Sequence, residues 1–220
     1  MSGKPSRQYY FDENYFHIID SPDKAYFLGL IAADGCVRNS TRGQPCVALS
    51  LLFSDLSILE SFNKCLCTNK PIFSTKNGKY RKVSFPSEIM AEDLSRYNIV
   101  PQKTYAYEMV DLGVRYMSHF FRGYFDGDGS IFETNDKTTL SRFKISICGF
   151  EHNMLKMKEY LNNFGISVKY KEDRRKYKYP FGSIRADSAK DIYMFIKYLY
   201  RDCDGLCIQR KRDISNRFLM

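Results

Sequence analysis

Asp34 and Asp128 stand at the same place in two nine-residue segments, Phe27-Leu-Gly-Leu-Ile-Ala-Ala-Asp-Gly35 and Phe121-Arg-Gly-Tyr-Phe-Asp-Gly-Asp-Gly129. The two acids are 94 residues apart, and so are Gly29 and Gly123. Gly29-x-x-x-Ala33 and Gly123-x-x-x-Gly127 place small residues one turn apart on a single helix face. Glycine inside a helix costs around 1 kcal/mol relative to alanine, so its recurrence needs a reason. Small-x-x-x-small faces supply one, because they let two backbones approach closely. The expectation is a pair of helices packed through Gly29 and Gly123, each ending in Asp-Gly, with Asp34 and Asp128 side by side. Two adjacent carboxylates are hard oxygen donors of the kind a small divalent cation requires.

The elements that must position this pair repeat as well. Ser21-Pro22-Asp23 is a helix start: a capping hydroxyl, a proline at the first helical position and an acid in the first turn. Each motif is followed by a strand (Val47–Leu51; Phe143–Ile147) and an amphipathic helix, marked by Leu56, Leu59, Phe62, Asn63 and Leu66 or by Met154, Leu155, Met157, Tyr160 and Leu161. A basic hairpin comes next, then a second helix around Ser87–Tyr97 or Ser188–Leu199. The pattern predicts an α+β protein of two pseudo-symmetric αββαββα-type halves, residues 21–110 and 111–220, with 1–20 as an N-terminal extension. Tyr9–Phe16 is expected to be a helix laid on the first half.

The 220 residues carry 34 Lys and Arg against 25 Asp and Glu, a net charge of +9. Residues 69–83 hold five of the bases and no acid, and residues 165–182 hold six bases against two acids. These two windows contain the whole excess, which favours a polyanionic partner. Lys76-Asn77-Gly78-Lys79 contains an Asn-Gly pair suited to two positive φ angles in a tight turn. In Val168–Tyr179 base and tyrosine interleave, and a strand there would set Lys176 and Lys178 on one face and Tyr177 and Tyr179 on the other. The longest apolar run, Ala25–Ala33, is shorter than the roughly 20 residues of a membrane span. The N-terminus has no apolar secretory stretch, so an intracellular, reducing location is expected and the seven cysteines read as free thiols. Cys65-x-Cys67 and Cys203-x-x-x-Cys207 lack the usual zinc spacing.

The two segments resemble the signature motifs of the LAGLIDADG homing endonucleases in their single-chain, pseudo-symmetric form. The second motif continues the match through Gly129-Ser130-Ile131. The first keeps the acid at its eighth position as Asp34 but has Ala32 at the sixth, where an acid is usual. Arg122 stands where a small residue is commonest. The resemblance covers about residues 20–215.

It implies a monomeric, site-specific endonuclease that hydrolyses double-stranded DNA across the minor groove and leaves short 3′ overhangs. The implied cofactor is Mg²⁺, with Mn²⁺ or Ca²⁺ able to replace it for binding, held by Asp34, Asp128 and the carbonyls of Ala33 and Gly127. Histidines occur only at 17, 119 and 152, without metal-ligand spacing. A basic residue near the end of each half approaches the site in that family. Lys103 and Lys211 occupy those places, with Arg210 the alternative to Lys211, and Ser50 and Ser146 are candidate polar neighbours. Saddle-shaped antiparallel sheets would lie along a long, asymmetric DNA target. Lys76, Lys79, Arg81, Lys82, Lys169, Arg174, Arg175, Lys176 and Lys178 would contact phosphates, and Gln44, Arg142, Lys144 and Arg185 base edges. The rival reading is an intron maturase that binds intron RNA, or a regulator that does not cut. Two acids facing a polyanion favour cutting.

Overall fold

The computed structural model describes residues 8–40, 43–75, 77–102, 107–134, 143–175 and 178–220. The first half runs α1 (Pro22–Ala33), β1 (Cys36–Ser40), β2 (Gly43–Leu52), a 3-10 turn (Phe53–Asp55), α2 (Leu56–Cys65), β3 (Phe73–Ser74), β4 (Tyr80–Pro86) and α3 (Glu88–Ser95). The second runs α4 (Val114–Asp128), β5 (Gly129–Glu133), β6 (Phe143–Phe150), α5 (Glu151–Asn163), β7 (Lys169–Glu172), β8 (Phe181–Ala186) and α6 (Ala189–Leu199), followed by α7 (Gln209–Leu219). Each half forms a four-stranded antiparallel sheet, in the order β1-β2-β4-β3 or β5-β6-β8-β7. Seven helices and two such sheets, among the described residues, make the predicted α+β pseudo-symmetric fold.

α1 begins at Pro22 with the Ser21 hydroxyl facing the Lys24 amide, and Ala25 to Ala32 are all buried. A helix buried on every side has no polar face, because the core covers one flank and α4 the other. A Cβ added at Gly29 would run into the carbonyl of Phe120, and one at Gly123 into the carbonyl of Tyr26. Tyr26 and Phe120 are themselves 94 residues apart, so the helix crossing obeys the same two-fold relation as the motifs.

One face of each sheet packs on the core. Val47, Leu49, Leu51, Val83 and Phe85 point inward from the first, and Ile145, Ile147, Ile184 and Ala186 from the second. Phe62 of α2 meets Phe27 of α1 at 4.6 Å between centroids and Phe85 of β4 at 5.6 Å. On α5, Met154, Met157 and Leu161 are buried while Leu155 is 44% exposed, since it falls off their stripe. No helix among the described residues is long and apolar enough to cross a membrane.

Four local features differ from the sequence expectations. Tyr9–Phe16 forms turns, not a helix: Asp12 accepts the Asn14 amide at 2.9 Å, and the Asp12 amide donates to Leu66. Phe11, Tyr15 and Phe16 are nevertheless buried against the first half. In the first hairpin only Gly78 has positive φ (69°) among the described turn residues. Asn77 instead uses its side-chain oxygen to accept from the Thr75 hydroxyl and the Lys79 amide.

The second hairpin leaves its ladder after Glu172↔Gly182. Asp173 there accepts from the Arg175 amide at 3.0 Å and from its guanidinium, so Lys178 and Tyr179 lie in a bend rather than a strand. Lys176 and Tyr177 lie outside the described residues. Finally, α7 is an element the repeat did not announce. It packs on β5 and α6, while Arg210 reaches the buried Asp55 of the first half at 3.0 Å.

Candidate active site

The ends of α1 and α4 touch. A Cβ added at Gly127 would collide with that of Ala33 and lie 3.4 Å from the Asp34 carboxyl carbon. Asp34 caps α1, its amide bonded to the Leu30 carbonyl at 2.8 Å, and Asp128 closes α4; both acids are exposed at this common end. Behind them lies the buried Tyr124 phenol. Burial raises its pKa well above the ordinary value, and the charges of Asp128 and Asp34 push the same way.

Lys211, in the first turn of α7, is 5% exposed and points at the end of α4. Its ammonium donates to the carbonyls of Phe125 (2.6 Å), Asp126 (2.7 Å) and Gly129 (2.6 Å). The last carbonyls of a helix lack intrahelical partners, and a cation is favourable at this end of the helix dipole. Burial pulls the Lys211 pKa down to about 8, opposed by the charges of Asp126, Asp34 and Asp128. Arg210 is turned instead to Asp55, so of the two bases Lys211 is the one that meets the motif helix.

Asp126, at the sixth position of the second motif, is buried; its Oδ2 accepts from the Tyr26 hydroxyl and the Ile208 amide, each at 2.8 Å. Burial raises its pKa to about 6. The positions related by the 94-residue repeat are Phe120 and Ala32, an apolar pair in place of a polar one. Arg122 is fully buried and faces residues 199–206. Its Nε donates to the Leu206 carbonyl at 3.0 Å, Nη1 to Leu199 at 3.1 Å, and Nη2 lies 3.0 Å from His119 Nδ1.

The sheet faces away from the core flank this site. Register places Lys82 opposite both Ser50 and Phe73, and Ser146 between Ser130 and Arg185, all on open faces. The two serines are not counterparts. Val37 pairs Val47 where Ile131 pairs Ile145, so Ala48 corresponds to Ser146 and Ser50 to Cys148. The strand connection of the second half is longer, which shifts the spacing.

Gln44 and Lys144 occupy open-face positions of β2 and β6, and Lys169 faces Arg185 across the β7–β8 ladder. Lys79, Arg174 and Lys178 are exposed in the hairpin loops, and Arg175 is held by Asp173. Arg81 is turned off the open face: it pairs opposite Leu51, its guanidinium lies 4.3 Å from the Phe53 ring centroid, and Nη1 donates to Ser74 and Gly78. Lys76, Lys103, Arg142 and Lys176 lie outside the described residues. Arg38, exposed opposite Cys46, and Lys171, opposite Ser183, also reach the open faces. Alternation along Cys36–Ser40 and Lys169–Glu172 is the signal that identifies them.

Among the described residues no cluster of three or more His, Cys, Asp or Glu could cage a metal ion. Two carboxylates with nearby backbone carbonyls form a different donor set. It suits Mg²⁺, which keeps several waters and binds through one or two carboxylates together with substrate phosphates. The side-chain-free surface of Gly127, against Ala33 and Asp34, is what brings the donors together.

Residues 115–211 match the model of the LAGLIDADG-like domain. Among solved structures, the LAGLIDADG homing endonuclease I-GzeII in complex with its DNA target superposes with a TM-score of 0.62 at 13% identity, covering 91% of this chain and 90% of that one. The meganuclease I-SmaMI bound to uncleaveable DNA gives 0.64 at 14%, covering 90% of each chain. The LAGLIDADG homing endonuclease I-LtrWI bound to target DNA gives 0.59 at 10%, covering 94% and 91%. At these identities the likeness is one of fold. No curated protein sequence matches the chain.

Proposed function

We propose that this chain, which carries a LAGLIDADG-like domain at residues 115–211 and has the two-motif LAGLIDADG fold, is a site-specific endonuclease of double-stranded DNA. The observation that carries the reading is the junction of Ala33 and Gly127, which sets Asp34 and Asp128 together at one end of the helix pair between two open sheet faces. Facing phosphates across the minor groove, about 6 Å wide, are reached together only by groups this close.

Asp34, Asp128 and the carbonyls of Ala33 and Gly127 would hold Mg²⁺. Bound there, the cation supplies water activation, neutralisation of transition-state charge and stabilisation of the leaving oxygen. The chain's own residues orient it. The two glycine contacts fix the distance between the acids, and Lys211 fixes the end of α4 from which Asp128 projects. Lysines and arginines of the hairpins neutralise phosphates on either side of the cut. Both half-sites lie in one chain, so a monomer suffices and the target is asymmetric, cut to short 3′ overhangs.

The test is incubation of a randomised duplex library with Mg²⁺ followed by sequencing of the new ends. Recurrent staggered cuts at one sequence are expected. Absence of any cut duplex, with tight binding of a structured intron RNA, would replace this reading with the maturase one.

A further inference from the structure

Arg185 sits on β8, an interior strand of the second sheet, and is exposed on the open face. Its row runs Ser130, Ser146, Arg185, Lys169 across the four strands. Ser183, two residues earlier on the same face and 4% exposed, accepts the Arg185 Nε–H at 2.9 Å. That bond engages the Nε edge and restrains the plane of the guanidinium. Arg185 and Ser183 line a concavity of ≈ 530 Å³ whose wall also carries Lys171, Arg174 and Arg175 together with the acids Glu172 and Asp173.

Side-chain type on an interior strand separates this arginine from the other bases: among the described residues, Lys82 of β4 and Lys144 of β6 share such a position on the open faces but are lysines. Lys79, Arg174 and Lys178 project from loops at the sheet margin, where the phosphate backbones of a duplex pass. On the endonuclease reading an interior strand lies nearer the centre of the groove, within reach of base edges as well as of the backbone. A guanidinium held in one plane offers two parallel N–H groups, which match O6 and N7 of guanine in the major groove. A neutral hydroxyl partner orients the side chain without cancelling its charge, unlike the Asp173 carboxylate that holds Arg175.

We propose that Arg185, oriented by Ser183, reads a guanine in the half of the target lying under the second sheet. This rests on the endonuclease reading for the position of the duplex. Two strand spacings and two residues of rise put the Arg185 backbone about 12 Å from that of Asp128. At 3.4 Å per base pair along the duplex this puts the guanine within a few base pairs of the cut. The corresponding residue of the first half is Ser84, which pairs with Ala48 as Arg185 pairs with Ser146. Ser84 has no such fork, so the contact made by Arg185 has no two-fold counterpart at that position of the other half.

The experiment selects randomised duplexes for binding to the full chain in Ca²⁺, so that recognition is read without cutting, and repeats the selection with Arg185→Ala, Arg185→Lys and Ser183→Ala. The wild type selects one guanine on one side of the centre. Arg185→Ala loses the preference there alone and binds the selected duplex about 5- to 150-fold more weakly. Arg185→Lys retains the salt dependence but discriminates less, and Ser183→Ala is intermediate. Uniform weakening across all sequences, with the salt slope smaller by about one, would make Arg185 a phosphate contact and overturn the proposal. An unchanged selection, or no duplex binding by the wild type, overturns it as well. Adding Mg²⁺ to the selected duplex separates the two readings: a wild type that selects the guanine but never cuts contradicts the endonuclease and leaves Arg185 as assigned.

Discussion

Lys211 donates to the carbonyl of Gly129 at 2.6 Å, tying the first turn of α7 to the residue that follows Asp128. The same ammonium takes two more carbonyls of the α4 end. Replacing it with methionine keeps the length of the side chain and leaves three acceptors without their donor. Lys211→Met should lower stability by about 3 kcal/mol or more, since bonds to a charged group each contribute about 1.5–3 kcal/mol. Denaturant unfolding measures this. A change below about 0.5 kcal/mol would show the contacts to be incidental.

Gly29 and Gly123 make the second prediction. Each faces a backbone carbonyl of the opposite helix, and a carbonyl has no rotamer with which to yield. Gly29→Leu or Gly123→Leu should cost at least the 1–3 kcal/mol typical of overpacking and should reduce cutting by separating the acids. Thermal melts paired with cleavage assays decide it, and a variant of normal stability and activity would remove the close-approach argument.

The third concerns pH. Burial raises the Asp126 carboxyl to about 6, above its unfolded value, so the folded chain holds this proton in a range where the unfolded chain has released it. Its contribution to stability is therefore greatest at low pH and is lost as pH rises through about 4 to 6. Against Asp126→Asn, which does not titrate, the wild type should lose about 3 kcal/mol between pH 3.5 and pH 7. Denaturant curves for both proteins at the two pH values give the difference, and a constant difference would contradict the assignment.

The fourth separates neighbouring bases of the first hairpin. Lys82 faces Ser50 on the open side, whereas Arg81 stacks on Phe53. Lys82→Ala should flatten the slope of log K against log salt by about 0.9, one phosphate contact, while Arg81→Ala should leave it unchanged. Equal slopes for the two variants would show that strand register does not decide which side chain meets the duplex.

Much of this arrangement is legible in the residues themselves. Glycine recurring at one helical position demands a close approach, and Ser21-Pro22 marks a helix start in any context. α7 is less legible, because the residues it buries fully are Lys211 and Ser215, and its apolar spacing rests on the partly buried Ile214 and Phe218. Tyr9–Phe16 has aromatic spacing that suits a helix, yet the Asp12 side chain binds the backbone and makes turns. Ser50 and Ser146 look equivalent by counting, but the longer connection in the second half moves the register, and only pairing with Val37 and Ile131 reveals it. The roles of Asp126 and Tyr26 depend on partners 100 residues away, beyond any local pattern.

The central claim is that Asp34 and Asp128 together hold the metal that cuts DNA. Strand-resolved cleavage of a doubly end-labelled target by Asp34→Asn and by Asp128→Asn tests it directly. Each substitution keeps the shape of the side chain and removes the charge facing the phosphates. The account predicts that either variant alone loses cleavage of both strands while binding the target at least as tightly as the wild type. Two full-rate nickases would contradict the sharing of metal between the acids, and wild-type cutting of both strands by both variants would contradict the active site itself.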